Sequence, residues 1–343
     1  MTEHVEPALR GDPTPVGGPY FDELAMGQVF EEAPAVTLTS GLAAAHQAIL
    51  GDRLRLALDA HLSAAVTGPD APVAHPGLVC DLAIGQSTLV THHVKANLFY
   101  RDLRFHRFPR IGDTLYTRTE VVGLRENSPK PGRAPTGLAA LRMHTTDQNG
   151  DTVLDFYRCA MLPLGPNADP QREVPGDDLA TIGREPEPSF GVPAGWDLDA
   201  FRKRVPGRHF GTDLAGSVLR SSADVVSSAP ELARLTLNIA AAHHDERVAP
   251  AGRLVYGGHT IGIALGQTTR ALPHLVTVLG WQSCDHTGPV HEGDTLVSEL
   301  TIEQARPLPG TQAGLLELRS LVYAVGPDAD RRVLDWRFTA LMA

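Results

Sequence analysis

The sequence predicts an α+β protein in which one unit, an antiparallel sheet wrapped round a buried helix, occurs twice in tandem. Three observations carry that expectation. The run Gly77-Leu78 … Ile84-Gly85-Gln86-Ser87 … Gly112-Asp113-Thr114-Leu115 returns as Gly258-His259 … Leu265-Gly266-Gln267-Thr268 … Gly293-Asp294-Thr295-Leu296, and all three anchors are displaced by the same 181 positions. Flanking anchors repeat with small changes of offset, as gaps in loops would produce: Phe21 … Gly27-Gln28-Val29 matches Phe210 … Gly216-Ser217-Val218, and Leu154-Asp155-Phe156 matches Leu334-Asp335-Trp336. Both copies also run in one order, a helix rich in small residues and then alternating strands. A period this long marks a duplicated domain, since solenoid repeats run about 20 to 50 residues.

Residues 1–17 carry charges and prolines without an apolar run and are expected to form a flexible tail, with no signal peptide. The first copy spans 18–165. Its helix begins at Gly77, where Leu78, Leu82, Ala83, Gly85 and Leu89 keep a helical period with small residues on one face, as close packing on a sheet requires. Strands are expected over 113–123, 138–146 and 153–162 from the alternation of Leu, Thr and Val with polar residues. Residues 166–204 hold many Pro, Gly, Asp and Glu and read as a linker. The second copy, 205–343, repeats the helix through Ile261, Ile263, Ala264 and Leu265, and the strands over 294–303, 315–325 and 333–341.

Composition excludes several function classes. The length of 343 residues suits two domains, each large enough to bury its own core. A formal net charge of −10 disfavours nucleic-acid partners, which need a basic surface, and no apolar run reaches membrane-spanning length. Cys80, Cys159 and Cys284 form no CxxC pair, so neither a disulfide framework nor a zinc site is expected, and a reducing cytoplasm is the default compartment. Adjacent histidines, His92-His93 and His243-His244, point apart and make no metal site. Arg101, Arg104, His106, Arg107 and Arg110 crowd one window, either as a solvated face or as a patch for a phosphate or carboxylate. Asp113 and Asp294 recur in both copies and are expected to fix the turn before a strand.

The start Tyr20-Phe21-Asp22-Glu23-Leu24 … Gly27-Gln28-Val29-Phe30, the Gly-Asp-Thr-Leu strand start and the turn before the small-residue helix together resemble a MaoC-type hot-dog dehydratase. Two such units in one chain resemble the double hot-dog hydratases. Arg253-Leu254-Val255-Tyr256-Gly257-Gly258-His259 and Thr236-Leu237-Asn238 … His243-His244-Asp245 are similar to the mesaconyl-CoA hydratase (β-methylmalyl-CoA dehydratase) group. The resemblance covers about residues 18–165 and 205–343. It implies a tandem hot-dog fold and a hydro-lyase acting on a CoA or carrier-protein thioester, with no cofactor, no metal, and a homo-oligomer left open. A hot-dog thioesterase, an enzyme adding another nucleophile to an enoyl thioester, and a non-catalytic thioester-binding module stay open as alternatives.

MaoC-type hydratases resemble one another in an Asp-x-Asn-Pro-x-His pattern whose acid and histidine grip a water. In the second copy that spacing falls on Asn238 and His243. An amide cannot take a proton from water, so the base role passes to His243, with Asn238 orienting the water. Residues five apart diverge by about 140° on an unbroken helix, so convergence requires Asn238 to lie outside the helix. In the first copy the same count falls on Leu42 and Gln47, an empty site, with His46 one residue out of register. The turn Gly257-Gly258 opens a helix whose free N–H groups suit a thioester oxygen, which places the oxyanion contact on Gly258 or His259 and Tyr256 at the entrance. Asp245 either holds the imidazole of His243 or caps a helix. By resemblance a short branched dicarboxylic acyl group is favoured, its distal carboxylate meeting Arg253 or the stretch holding Arg104 and Arg107.

Overall fold

In a computed structural model of the chain, which describes residues 16–184, 190–249 and 252–343, twelve strands join into one antiparallel sheet. The expected tail lies almost wholly outside the described residues. The first half contributes β1 (Val29–Phe30), β2 (Val36–Thr37), β3 (Ala96–Phe105), β4 (Thr114–Glu126), β5 (Thr136–Thr146) and β6 (Thr152–Pro163). The second contributes β7 (Val218–Arg220), β8 (Asp224–Val225), β9 (Leu275–His286), β10 (Thr295–Pro307), β11 (Gly314–Ala324) and β12 (Arg331–Met342). Along the sheet the order is β1-β4-β5-β6-β3-β9-β12-β11-β10-β7, with β2 on β4 and β8 on β10. The halves meet where β3 pairs with β9, Tyr100 opposite Cys284 and Leu103 opposite Trp281.

The helices are α1 (Ser40–Leu50), α2 (Arg55–Leu58), α3 (Ala60–Thr67), α4 (Pro76–Gln86), α5 (Leu198–Arg204), α6 (Ala229–Leu235) and α7 (Gly257–Ala271). α4 and α7, the two small-residue helices, are buried along most of their length and touch each other inside the wrapped sheet. Side chains of β11 alternate strictly between core and partial exposure, as a strand with one covered face must. β9 does not alternate, because both its faces are covered: Val278 and Trp281 join the main core, while Val276 and Leu279 pack with Phe190 and Phe201 in a second one. The stretch 166–204, read as a linker, therefore also covers sheet. Within it Leu179 joins Phe99 and Leu138, and α5, capped by the Asp197 side chain, buries Phe201. No helix among the described residues is long and apolar enough to cross a membrane.

One close approach positions the later chemistry. A Cβ on Gly85 of α4 would strike the Thr236 carbonyl and lie 3.2 Å from the Asn238 nitrogen. The segment after α6 thus lies directly on α4, its backbone where a side chain would otherwise be. The reciprocal contact sets Gly266 of α7 against Leu50 and Asp52, more loosely, with a Cβ 3.2 Å from the Leu50 carbonyl oxygen. Gly85→Ala should destabilise the fold by about 3 kcal/mol or more, because backbone has to move. Gly266→Ala should stay within about 1 kcal/mol of the parent, helped by the better helix propensity of alanine. Thermal and denaturant unfolding of the two variants checks the contrast.

Candidate active site

α6 ends at Leu235, and the chain then turns through Leu237 at φ 59°, a left-handed value that leucine seldom adopts. Asn238 follows outside the helix, and a short 3₁₀ turn, Ala241–His243, carries the histidine. The divergence of an unbroken helix is thereby avoided, and Asn238 and His243 line one cavity of about 290 Å³. Asn238, 2 % exposed, is held at both ends of its polar complement: its Oδ1 accepts from Ala240 N (3.1 Å), and its carbonyl accepts from His244 Nε2 (2.7 Å). The side-chain NH2 is left for the cavity. His243 Nδ1 donates to the Leu254 carbonyl (2.8 Å), which fixes the tautomer and leaves Nε2 as a free acceptor. Burial drives its pKa down to about 4, against the opposing pull of that hydrogen bond, so the imidazole is neutral near pH 7.

The cavity lies between the halves. From the first come Thr88, Thr91, Tyr100 and Arg158; from the second, besides the pair above, Tyr256, Gly257 and His286. No side chain caps the N-terminus of α7, so its first N–H groups are open at Gly257. A Cβ there would lie 2.7 Å from His286 Nε2, so only glycine fits. Tyr256 is buried in the inner wall and not at the entrance: its hydroxyl donates to Asp81 Oδ1 (3.0 Å), whose other oxygen lies 3.0 Å from His46 Nε2. Gly258 packs on Asp81 and Tyr256, outside the cavity lining. His259 is fully buried with both ring nitrogens unpartnered, also outside that lining.

The expected carboxylate contacts are placed elsewhere. Arg104 pairs with Asp102 (2.7 Å), and Arg107 with Asp113 (3.3 Å) and Asp147. Arg253 pairs with Glu246 (2.9 Å) in a neighbouring surface recess. Asp245 caps a short turn through Arg247 N (2.9 Å) and leaves His243 alone. Asp113 and Asp294 accept from Arg110 N and His291 N, holding the turns before β4 and β10.

No protein-family model matches the sequence. A solved structure of a conserved hypothetical protein from Mycobacterium tuberculosis, with a double hot-dog fold, is 67% identical and superimposes with a TM-score of 0.91, covering 96% of this chain and 100% of that one. A MaoC domain protein from Chloroflexus aurantiacus J-10-fl is 26% identical with a TM-score of 0.77, over 98% and 99% of the two chains. The chain belongs to the MaoC-like double hot-dog family. Among characterised relatives, the β-methylmalyl-CoA dehydratase of Chloroflexus aurantiacus is 27% identical over 95% of this chain and 97% of its own length. The mesaconyl-CoA hydratase of Cereibacter sphaeroides is 26% identical over 92% of each.

In a double hot-dog the two copies can be compared position by position, and this corrects the register assigned to the first. Gly51 (φ 66°) occupies the place of Leu237, and Asp52 that of Asn238: Asp52 Oδ1 accepts from Leu54 N as Asn238 Oδ1 does from Ala240 N. Arg53 N donates to Thr269 Oγ1 as Ile239 N does to Thr88 Oγ1. The acid position is therefore Asp52, not Leu42, and the histidine position by count is Ala57, not Gln47. Leu42 and Gln47 lie within α1, whereas Asp52 follows the end of α1 as Asn238 follows the end of α6. The first copy is closed off by other means. Pro76, without an N–H, stands where Gly257 is, and His75 Nδ1 accepts from Gly77 N. Asp52 Oδ1 lies 2.9 Å from His75 Nε2.

His243, His259 and His286 each have a pKa pushed down to about 4 by burial, and each would titrate near 6.5 once unfolded. Between those values the unfolded chain binds more protons than the folded one, so stability is full above pH 6.5 and falls as pH drops toward 4. Calorimetric unfolding should show the midpoint falling across that window, and His286→Gln should flatten the dependence.

Proposed function

We propose that the chain is a hydro-lyase that adds water to the double bond of an enoyl-CoA thioester, or removes it from the 3-hydroxyacyl product. One observation carries the reading: an unprotonated imidazole nitrogen, an amide NH2 and an uncapped helix N-terminus line a single cavity between the halves. The activities named for the two characterised relatives support it. His243 Nε2 takes a proton from a water oriented by the Asn238 NH2, and the oxygen bonds to the β-carbon as the π pair moves toward the thioester carbonyl. The open N–H group at Gly257 receives the negative charge on that oxygen. The imidazolium then returns a proton to the α-carbon, and the net change is one water added. Tyr256, its hydroxyl spent on Asp81, shapes the wall beside His243, the rings 5.9 Å apart.

A thioesterase of this fold would need a carboxylate beside the thioester carbon. No aspartate or glutamate lines the cavity among the described residues, which weighs against that alternative.

Hydration of mesaconyl-CoA and crotonyl-CoA, followed by loss of enoyl absorbance, tests the proposal. His243→Ala should lower kcat by about 10²–10⁴-fold with little change in ligand affinity. Asn238→Ala should lower kcat less, since it removes orientation and not the base. Because protonated His243 cannot take a proton, kcat/KM for hydration should be level near neutral pH and fall on the acid side with a midpoint near pH 4. Turnover of neither substrate by folded wild type, with acyl-CoA binding intact in His243→Ala, would mark a non-catalytic binder.

A further inference from the structure

β6 is a strand whose inward face carries Leu154, Phe156, Arg158, Ala160 and Leu162, all buried. An arginine in that row is out of place, and the repeat shows what the frame accepts instead: Phe338 stands at the corresponding position of β12. The Arg158 side chain is 3 % exposed and lines the cavity. Nη2 donates to Thr91 Oγ1, while Nε is buried with no partner. No ion pair to Arg158 forms among the described residues, and its neighbours Tyr100, Tyr256 and Cys159 are held protonated near neutral pH by burial, so none of them is an anion. A guanidinium stays charged in any protein, so burying it without a counter-ion is strongly unfavourable unless an anion arrives with the ligand.

Resting on the hydratase reading, we infer that Arg158 receives a carboxylate carried by the acyl chain, so that the site takes short enoyl thioesters of dicarboxylic acids over monocarboxylic ones. The guanidinium fork matches a carboxylate in two parallel hydrogen bonds. Its depth assigns the anion to the acyl end. Arg158 shares the inner wall with Tyr100 and His286, and its field reaches His243, whereas the phosphates of CoA lie a pantetheine length from the thioester. A bound carboxylate also cancels part of the positive field at His243, which strengthens the base only when the correct substrate is present.

Binding of two stable thioethers, 3-carboxypropyl-CoA and butyl-CoA, is measured by calorimetry on wild type, Arg158→Lys and Arg158→Met, beside turnover of mesaconyl-CoA and crotonyl-CoA. Wild type should bind the carboxylated ligand about 100-fold more tightly than butyl-CoA. Arg158→Met should abolish that preference while holding butyl-CoA within about threefold, and Arg158→Lys, which keeps charge but loses the fork, should retain about a tenth of it. Equal affinities in wild type, or equal losses for both ligands in either variant, would overturn the assignment. If Arg158→Met fails to fold, the wild-type ratio and Arg158→Lys decide alone. A carboxylate preference in binding without turnover of either enoyl substrate would sink the hydratase reading and leave the carboxylate receptor standing.

Discussion

The contact that the rest of the site depends on is backbone against backbone: the turn Thr236–Asn238 lying on α4 at Gly85. It leaves no room for a side chain, so it fixes where the chain leaves α6. Thr88, one turn further along, accepts from Ile239 N and holds the segment from the other side. Between these two points Leu237 is kept at positive φ, which costs an L-residue roughly 1–2 kcal/mol. The first copy meets the same geometric demand with Gly51, at no such cost. Of these two equivalent turns only the one beside the open cavity carries the strain, which accords with a turn held in place for where it delivers Asn238 and His243.

A duplicated frame need not keep duplicated contents. Around the open cavity stand Arg158, Thr91, His286, Tyr256 and Gly257; at the corresponding places of the other frame stand Phe338, Leu272, Phe105, His75 and Pro76. Polar groups have given way to apolar ones, the open helix N-terminus has been stopped by proline and a capping histidine, and Asp52 is engaged with His75. α2 and α3 follow directly after Asp52, and their Leu56, Leu62 and Val66 pack with Phe201 and Leu279 into a second core. One frame thus became structure, which frees the other from having to stabilise the fold by itself.

Much of this was legible because the copies constrain each other. Constant spacing between Gly85 and Gly266, and between the two Gly-Asp-Thr-Leu turns, located both buried helices and six of the long strands. β3 and β9 are hidden from the alternation pattern for a physical reason: the most central strands are covered on both faces, so β9 is buried without a break over Leu275–Trp281 and β3 shows a mixed pattern. His243 and Asn238 were reached through motif spacing, but Arg158 was not, although the signal existed. An arginine at an inward-facing position, matched by phenylalanine in the other copy, is visible by aligning β6 with β12. The basic window at Arg101–Arg110 drew attention instead, and most of its cations are spent on nearby carboxylates and carbonyls.

Asn238 and Arg158 explain each other. With aspartate at position 238, the same cavity would hold a permanent carboxylate and a permanent guanidinium in a low dielectric, and the carboxylate would compete with an incoming anion for Arg158. The internal pair would neutralise the receptor and draw the acid away from the water. The amide in place of the acid gives the water a hydrogen-bond donor that a carboxylate lacks and removes the competitor, leaving Arg158 as the only full charge deep in the cavity among the described residues. The cost, in the proposed reaction, is that base catalysis falls to a single imidazole whose burial holds it neutral and weakly basic. On the proposed assignment, a ligand carboxylate on Arg158 restores part of that basicity at the moment it is needed. Substrate recognition and activation of the base then become one electrostatic event, which a monocarboxylic thioester cannot set off.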